Sequence, residues 1–148
     1  MAEIPIGHQF LQGDLVLPKE AQGLILFAHG SGSSRFSTRN KAVAARLQKG
    51  GFGTLLFDLL TEKEEAVDER TREHRFNILL LADRLMMATR WAEEQTKLGI
   101  GYFGASTGAA AALTAAAQLG NQIRAVVSRG GRPDLAKGAL AKVLSPTL

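Results

Sequence analysis

Four short runs dominated by apolar residues divide the chain, and a longer segment of mixed polarity follows each of them. They cover residues 24–28, 54–57, 100–103 and 123–127. Near-continuous apolar runs of this length are typical of strands buried on both faces, as in a parallel sheet. Residues 9–17 predict a further short strand or hairpin, which Pro18 closes.

The segment after residue 28 predicts a loop of small residues and then a helix. Ser37 and Thr38 are both candidates for its N-cap, because their hydroxyl groups can accept the first free backbone N–H groups. Val43 and Leu47 lie four residues apart and are expected to face the core. The glycine pair at 50–51 is expected to end this helix.

A long helix is predicted over residues 76–95. Its large apolar residues are spaced by four, seven and four positions, which places them on one face: Phe76, Leu80, Met87 and Trp91. Residues of this kind at helical spacing are expected to belong to the core and not to a cofactor site.

Three further segments complete the pattern. The charged stretch 62–75 is expected to be a solvated loop and the start of a helix. Residues 108–119 predict an alanine-rich helix, and a short helix is expected after Pro133.

Strands that alternate with helices imply right-handed crossovers. The predicted class is therefore α/β, a three-layer, doubly wound and mostly parallel sheet, in one domain over 1–148.

Composition narrows the possible functions. The 148 residues include no cysteine, which excludes disulfides, thiolate metal sites and a cysteine nucleophile. The net charge of +4 is spread along the chain, so no nucleic-acid partner is expected. No apolar run approaches the roughly 20 residues that span a bilayer, and no signal peptide is visible at the start, so we expect no membrane partner and a cytoplasmic location.

No cofactor or metal is expected either. Residues 99–104 satisfy the pattern G-x-G-x-x-G, but in a dinucleotide-binding fold the glycines follow the strand, whereas here they span it. No acidic residue between Ser106 and Asp134 is available to hold a ribose, and no phosphate-binding loop or cluster of metal ligands is apparent.

The chemistry is expected at residues 104–108, GASTG, which fit G-x-S-x-G between a buried strand and a helix of small residues. Glycines at both ends allow a tight turn that exposes the Ser106 hydroxyl at the carboxyl end of the sheet, beside a helix N-terminus that favours negative charge. The alternative is a glycine-rich turn in which Ser106 only caps the helix.

The second candidate element is the loop HGSG at residues 29–32, after the strand at 24–28. The backbone N–H groups of Ser31 and Thr107 are expected to form an oxyanion hole, in which each donor contributes roughly 3–4 kcal/mol to the transition state. His29 is interpreted as part of the turn and not as the general base, because it precedes Ser106 in the chain.

Four segments together, FAHGSGSS, LLFDLLTEKEE, GYFGASTGAAAAL and VVSRGGRPDLA, resemble the dienelactone-hydrolase-like branch of the α/β-hydrolase superfamily, in order and in spacing. The resemblance covers nearly all of residues 24–148. It implies a doubly wound sheet and hydrolysis of esters or acyl compounds through a serine acyl-enzyme. Family members named for dienelactone hydrolysis use a cysteine nucleophile, where this chain has Ser106.

The resemblance also implies an acid and a histidine after the nucleophile, yet His8, His29 and His74 all precede Ser106. We therefore expect a fragment or a shortened homologue, truncated at the C-terminus. Asp134 is a candidate acid, with the alternative that it caps the short helix after Pro133. Asp58 is interpreted as a carboxylate that stabilises a loop.

Two functions stay open. The chain is expected to be a serine hydrolase that acts on a small-molecule ester, or a non-catalytic α/β module that retains the scaffold. The strand at 123–127 is expected to be an exposed edge that promotes self-association, such as a homodimer.

Overall fold

Six strands and four α-helices alternate in a computed structural model, which describes the backbone of residues 1–148 and all side chains except those of Pro133 and Lys137. The strands are β1 (Ala2–Ile6), β2 (Gln9–Val16), β3 (Leu24–Ala28), β4 (Gly53–Phe57), β5 (Ile100–Ala105) and β6 (Ile123–Arg129). The helices are α1 (Thr38–Lys49), α2 (Glu62–Thr71), α3 (Ile78–Thr96) and α4 (Thr107–Leu119). Gly120–Gln122 and Pro133–Lys142 form 3₁₀ helices.

All six strands form one mixed sheet in the order β1-β2-β4-β3-β5-β6. The four strands from β4 to β6 are parallel, and the hairpin of β1 and β2 joins them in antiparallel pairing. The chain moves outward from β3 in both directions, which is the doubly wound arrangement. The predicted fold class is confirmed.

Helices cover the sheet on both faces, so the domain has three layers. On one face Ala44, Val43 and Leu47 of α1 pack against Phe27 and its neighbours. On the other face α3 and α4 enclose the larger core around Leu26. The two core clusters follow from the alternation of side chains along each buried strand.

The charged stretch 62–75 contains a complete helix, α2, where a solvated loop and the start of a helix were expected. Thr61 and Glu64 form a reciprocal capping box, in which each side chain accepts a hydrogen bond from the other residue's backbone N–H. Asp68 on this helix is buried, with 1% of its surface exposed. The stretch therefore belongs to the packed structure.

The predicted inward face of α3 is wrong in part. Leu80 and Trp91 pack at the margin of the core, but Phe76 lies before the helix and is 55% exposed. The buried face is one residue further along the helix, through Leu81, Leu85, Ala88 and Ala92. These mostly smaller residues allow α3 to approach the alanine-rich α4 closely.

The edge at β6 is more protected than expected. Val126 N–H donates to the carbonyl oxygen of Pro146 at 2.9 Å, and Ser128 N–H donates to that of Leu148 at 2.8 Å. Leu148 N–H donates back to Val126. The expectation that the amides of this edge are unpaired is therefore wrong at these two positions, and self-association through the edge stays a prediction.

Among the residues that the structure describes, no helix has both the length and the apolar character required to cross a membrane.

Candidate functional site

Ser106 lies at a sharp turn between β5 and α4. Its backbone has φ 56° and ψ −121°, a left-handed conformation that side-chain-bearing residues rarely adopt. The turn is held by a hydrogen bond of 3.1 Å from Ser106 N–H to the carbonyl oxygen of Arg129, at the end of the adjacent β6. The serine makes no side-chain capping bond to the helix. Its residue is exposed, so the geometry is that of an elbow and not of a helix cap.

Close backbone contacts explain the glycines on either side of this serine. A Cβ atom on Gly104 would lie 2.6 Å from the Cα atom of Ala109, and one on Gly108 would lie 2.1 Å from the carbonyl oxygen of Ala28. Any side chain at either position would separate α4 from the strands. The two glycines of the motif are therefore required for the start of the helix to pack against the sheet.

The loop after β3 passes directly against the elbow. A Cβ atom on Gly30 would lie 3.2 Å from the Cβ atom of Ser106. In the next residue, Ser31 Oγ lies 2.7 Å from Thr107 Oγ1. The structure thus brings together three of the residues selected from the sequence: Ser31, Ser106 and Thr107.

The backbone N–H groups of Ser31 and Thr107 have no hydrogen-bond acceptor among the described residues. Both lie beside Ser106, one in the loop and the other in the first turn of α4. Free N–H groups at a helix N-terminus attract negative charge. This is the chemistry required to hold an oxyanion.

His29 is a structural residue of this loop. Its Nδ1 lies 2.8 Å from the carbonyl oxygen of Gly30 and therefore carries the proton, while Nε2 accepts from Leu59 N–H at 3.0 Å. Burial lowers the pKa of His29, although the hydrogen bond to Gly30 and the charge of Asp58 oppose this. Both ring nitrogens are engaged and the ring is neutral, so it is not a base for Ser106.

The other two histidines are also separate from Ser106. His74 Nε2 lies 3.5 Å from the carboxylate of Glu73, and His8 is exposed in the turn between β1 and β2. Among the described side chains, none forms a hydrogen bond with the Ser106 hydroxyl.

The carboxylates from the sequence analysis have other partners. Asp134 is exposed and pairs with the guanidinium of Arg132, at 3.1 and 3.2 Å. The N-cap of the 3₁₀ helix is Arg132, and Asp134 lies in its first turn, where the hydrogen bond from Arg132 lowers the pKa of Asp134. Asp58 accepts from the backbone N–H of Arg35 at 2.7 Å and from its guanidinium, as expected of a loop-stabilising carboxylate.

An ion pair between a buried carboxylate and a partly buried guanidinium, beside the loop at residues 29–34, was missed from the sequence. Asp68 Oδ2 accepts from Arg75 Nε at 2.9 Å, and the carbonyl oxygen of Arg75 accepts from Ser31 Oγ at 2.8 Å. The threonine three residues before a glutamate, at Thr61 and Glu64, is the signal that would have indicated the helix carrying Asp68.

An open cleft of about 940 Å³ adjoins the loop at residues 29–34. Gly32 and Phe36 line it together with several carboxylates, among them Glu65. Burial raises the pKa of Glu65, and the charges of Asp68 and Glu69 add to this effect. Ser106 is not part of the lining, so the cleft is not assigned to the reacting acyl group. The described side chains contain no group of three or more potential metal ligands.

A serine at a strained strand-to-helix turn, on a mostly parallel sheet with this strand order, defines an α/β-hydrolase fold. Comparison with known structures agrees with this assignment of the fold. A dienelactone hydrolase from Anabaena variabilis superposes with a TM-score of 0.96 at 56% identity, over 99% of this chain and 69% of that one. The chain belongs to the dienelactone-hydrolase-like branch of the α/β-hydrolase superfamily.

More distant structures share the fold alone. A serine hydrolase homologue from Coxiella burnetii has a TM-score of 0.77 at 17% identity, over 99% of this chain and 70% of that one. Est1E from Butyrivibrio proteoclasticus, with ferulic acid bound, has a TM-score of 0.74 at 20% identity, over 86% of this chain and 51% of that one.

Curated relatives carry a different name. Two proteins from strains of Mycobacterium tuberculosis, provisionally named phosphoribosyl transferases, are 55% identical over 149 residues. The match covers 99% of this chain, which spans only about a third of the length of these relatives. No protein-family model matches the chain.

Proposed function

We propose that the chain carries the nucleophile and the oxyanion hole of a hydrolase that acts on small carboxylic esters or related acyl compounds. The observation that carries the proposal is the elbow at Ser106, whose strained backbone presents an exposed hydroxyl beside two free N–H groups. Local strain of this kind costs of order 1–3 kcal/mol and is concentrated at functional sites.

In the proposed reaction Ser106 Oγ attacks the ester carbonyl carbon, and the carbonyl oxygen becomes an oxyanion. The N–H groups of Ser31 and Thr107 bind this oxygen. Collapse of the tetrahedral intermediate breaks the bond to the alcohol oxygen and leaves an acyl group on Ser106. Water then attacks the acyl group, which releases the carboxylic acid and restores the hydroxyl.

Among the described side chains, none accepts a hydrogen bond from the Ser106 hydroxyl, and the three histidines have other partners or lie elsewhere. Solvent therefore takes the proton during attack and supplies one to the leaving alcohol. General-base catalysis contributes about 10²–10⁴-fold in enzymes that have it. We accordingly propose that the 148-residue chain is a slow hydrolase.

The proposal is tested with 4-nitrophenyl butyrate and mass spectrometry. Brief incubation followed by acid quench is expected to give a butyryl group on Ser106, and Ser106→Ala is expected to abolish both the adduct and the enzyme-dependent release of nitrophenol. Ser34→Ala is the matched control, since its hydroxyl only bonds to Phe36 N–H in the neighbouring turn. Release that is unchanged in Ser106→Ala would refute the proposed nucleophile.

A non-catalytic α/β module is the second candidate, favoured by the absence of any hydrogen-bonding partner at the Ser106 hydroxyl among the described residues. Absence of both adduct and turnover in a folded sample would support it. The name phosphoribosyl transferase belongs to relatives three times as long, and the geometry of the elbow does not favour transfer of a phosphoribosyl group.

A further inference from the structure

A directed series of hydrogen bonds links the proposed oxyanion hole to helix α2. Ser31 Oγ donates its one proton to the carbonyl oxygen of Arg75 at 2.8 Å. The hydroxyl of Thr107, 2.7 Å from Ser31 Oγ, must therefore be the donor in that second bond. The series runs from Thr107 through Ser31 to the backbone of Arg75, and it connects the two residues whose N–H groups are proposed to form the oxyanion hole.

The far end of this series is fixed by a buried carboxylate. Asp68 accepts from the backbone N–H groups of His74 and Arg75, at 2.8 and 3.0 Å, and from Arg75 Nε at 2.9 Å. A second guanidinium nitrogen of Arg75 donates to the carbonyl oxygen of Asp68 at 3.3 Å. Because Asp68 is 1% exposed, these bonds hold the Arg75 carbonyl in one position.

We propose that Asp68 and Arg75 are positioning residues for ester hydrolysis, which set the spacing of the two oxyanion donors through the hydrogen bond between Ser31 and Thr107. The inference rests on the proposed function and deepens it. Neither residue is expected to touch the substrate. Their effect is expected only in the transition state, when the carbonyl oxygen moves toward the two N–H groups.

The expected size of the effect follows from displacement of a donor and not from its removal. Loss of one oxyanion donor lowers kcat by about 10²–10³-fold. A small displacement should cost less, so Ser31→Ala and Thr107→Val are each expected to lower kcat for 4-nitrophenyl butyrate by about tenfold. Both variants keep their backbone N–H groups. KM is expected to stay within about twofold, because ground-state binding is unchanged.

Thr107→Ser is the rescue variant, since it retains the hydroxyl and is expected to retain kcat. Asp68→Asn is expected to lower kcat by a similar factor, and Asp83→Asn is the matched control on the exposed surface of α3.

Combining Asp68→Asn with Ser31→Ala should lower kcat no further than either alone, because both act through one hydrogen bond. A merely structural role for Asp68 predicts independent, multiplicative losses.

Thermal unfolding of each variant establishes the folded fraction before the kinetics are compared. If Asp68→Asn does not fold, Arg75→Gln takes its place in the cycle with Ser31→Ala, because it removes the guanidinium bonds to Asp68. Wild-type kcat in Ser31→Ala or Thr107→Val would overturn the inference, as would multiplicative losses in the cycle. Ser106→Ala distinguishes failure of the positioning inference from failure of the proposed function. If Ser106→Ala abolishes turnover while Ser31→Ala leaves kcat unchanged, only the positioning inference fails. If Ser106→Ala leaves turnover unchanged, the proposed function fails.

Discussion

A Cβ atom built on Gly108 would lie 2.1 Å from the carbonyl oxygen of Ala28, so α4 begins in direct backbone contact with the end of β3. This contact brings the first turn of α4 against the loop that carries Ser31. The absence of a side chain at Gly108 therefore allows the elbow to lie against the loop at residues 29–34.

Gly108→Ala is expected to destabilise the fold by about 1–3 kcal/mol or more, because the new methyl group must displace backbone and not a flexible side chain. Denaturant unfolding measures the loss. Gly138→Ala is the matched control, since nothing lies within 4 Å of the equivalent Cβ position. Equal stability of the two variants would show that the contact at Gly108 is not as close as described.

Replacement of Ser106 separates backbone strain from loss of the hydroxyl. Ser106→Gly should relieve the strain at φ 56° and raise the free energy of unfolding by about 1 kcal/mol, after the entropy cost of glycine is subtracted. Ser106→Ala keeps a Cβ atom at the same backbone angles and should leave stability near that of the native chain. The urea midpoints of the three proteins test this. A Ser106→Gly variant that is less stable than Ser106→Ala would contradict a strained elbow.

The sequence predicted the elements whose signal is local. The parallel strands were recognised because burial on both faces leaves near-continuous apolar runs, such as Leu24–Ala28. The elbow was recognised because its tight turn requires small residues on both sides of Ser106. In contrast, α2 was missed because the density of charge obscured one capping box and one buried carboxylate, Asp68.

The remaining differences depend on contacts between distant residues. Helical spacing places Phe76 on the predicted inward face, yet the close approach of α3 and α4 selects smaller residues such as Ala88 and Ala92. The bond from Ser31 to Arg75 joins residues 44 positions apart and has no signature in either local segment. The partner of Asp134, Arg132, depends on a side-chain rotamer that spacing does not determine.

The low pKa of buried His29 makes the stability of the fold depend on pH. The unfolded chain binds a proton near the ordinary pKa of 6.5, whereas the folded chain keeps the ring neutral to lower pH. The contribution of neutral His29 to the free energy of unfolding is complete above pH 6.5. It is lost as the pH falls below 6.5, and the free energy of unfolding then decreases by at most about 1.4 kcal/mol per pH unit. Urea unfolding between about pH 7.5 and pH 5 measures the slope.

His29→Gln should flatten this dependence, because the amide oxygen can accept from Leu59 N–H without titrating. The exposed His8→Gln is the control and should retain the slope. A slope that persists unchanged in His29→Gln would assign the effect to another group.

Residues 145–148 are expected to protect the edge of β6. The amides of Val126 and Ser128 should exchange slowly with deuterium, because their hydrogen bonds to Pro146 and Leu148 are part of the sheet. A variant that ends at Leu144 should expose both amides and self-associate, as unpaired edges promote association. Hydrogen exchange and sedimentation test the two parts. A truncated variant that stays monomeric at high concentration would count against the edge as an interface.

Because no described side chain forms a hydrogen bond with the Ser106 hydroxyl, we expect slow hydrolysis and acceleration by an added base. Hydrolases that lack their triad residues still exceed water by roughly 10³–10⁴-fold through the oxyanion hole and binding, so turnover of 4-nitrophenyl butyrate should be slow but dependent on Ser106. A fluorophosphonate probe should label the serine slowly for the same reason. Added imidazole supplies a base from solution and should accelerate labelling of the native chain but not of Ser106→Ala. Fast labelling without imidazole would mean that a histidine is recruited to the elbow, and His29→Ala, His74→Ala and His8→Ala would then identify which one.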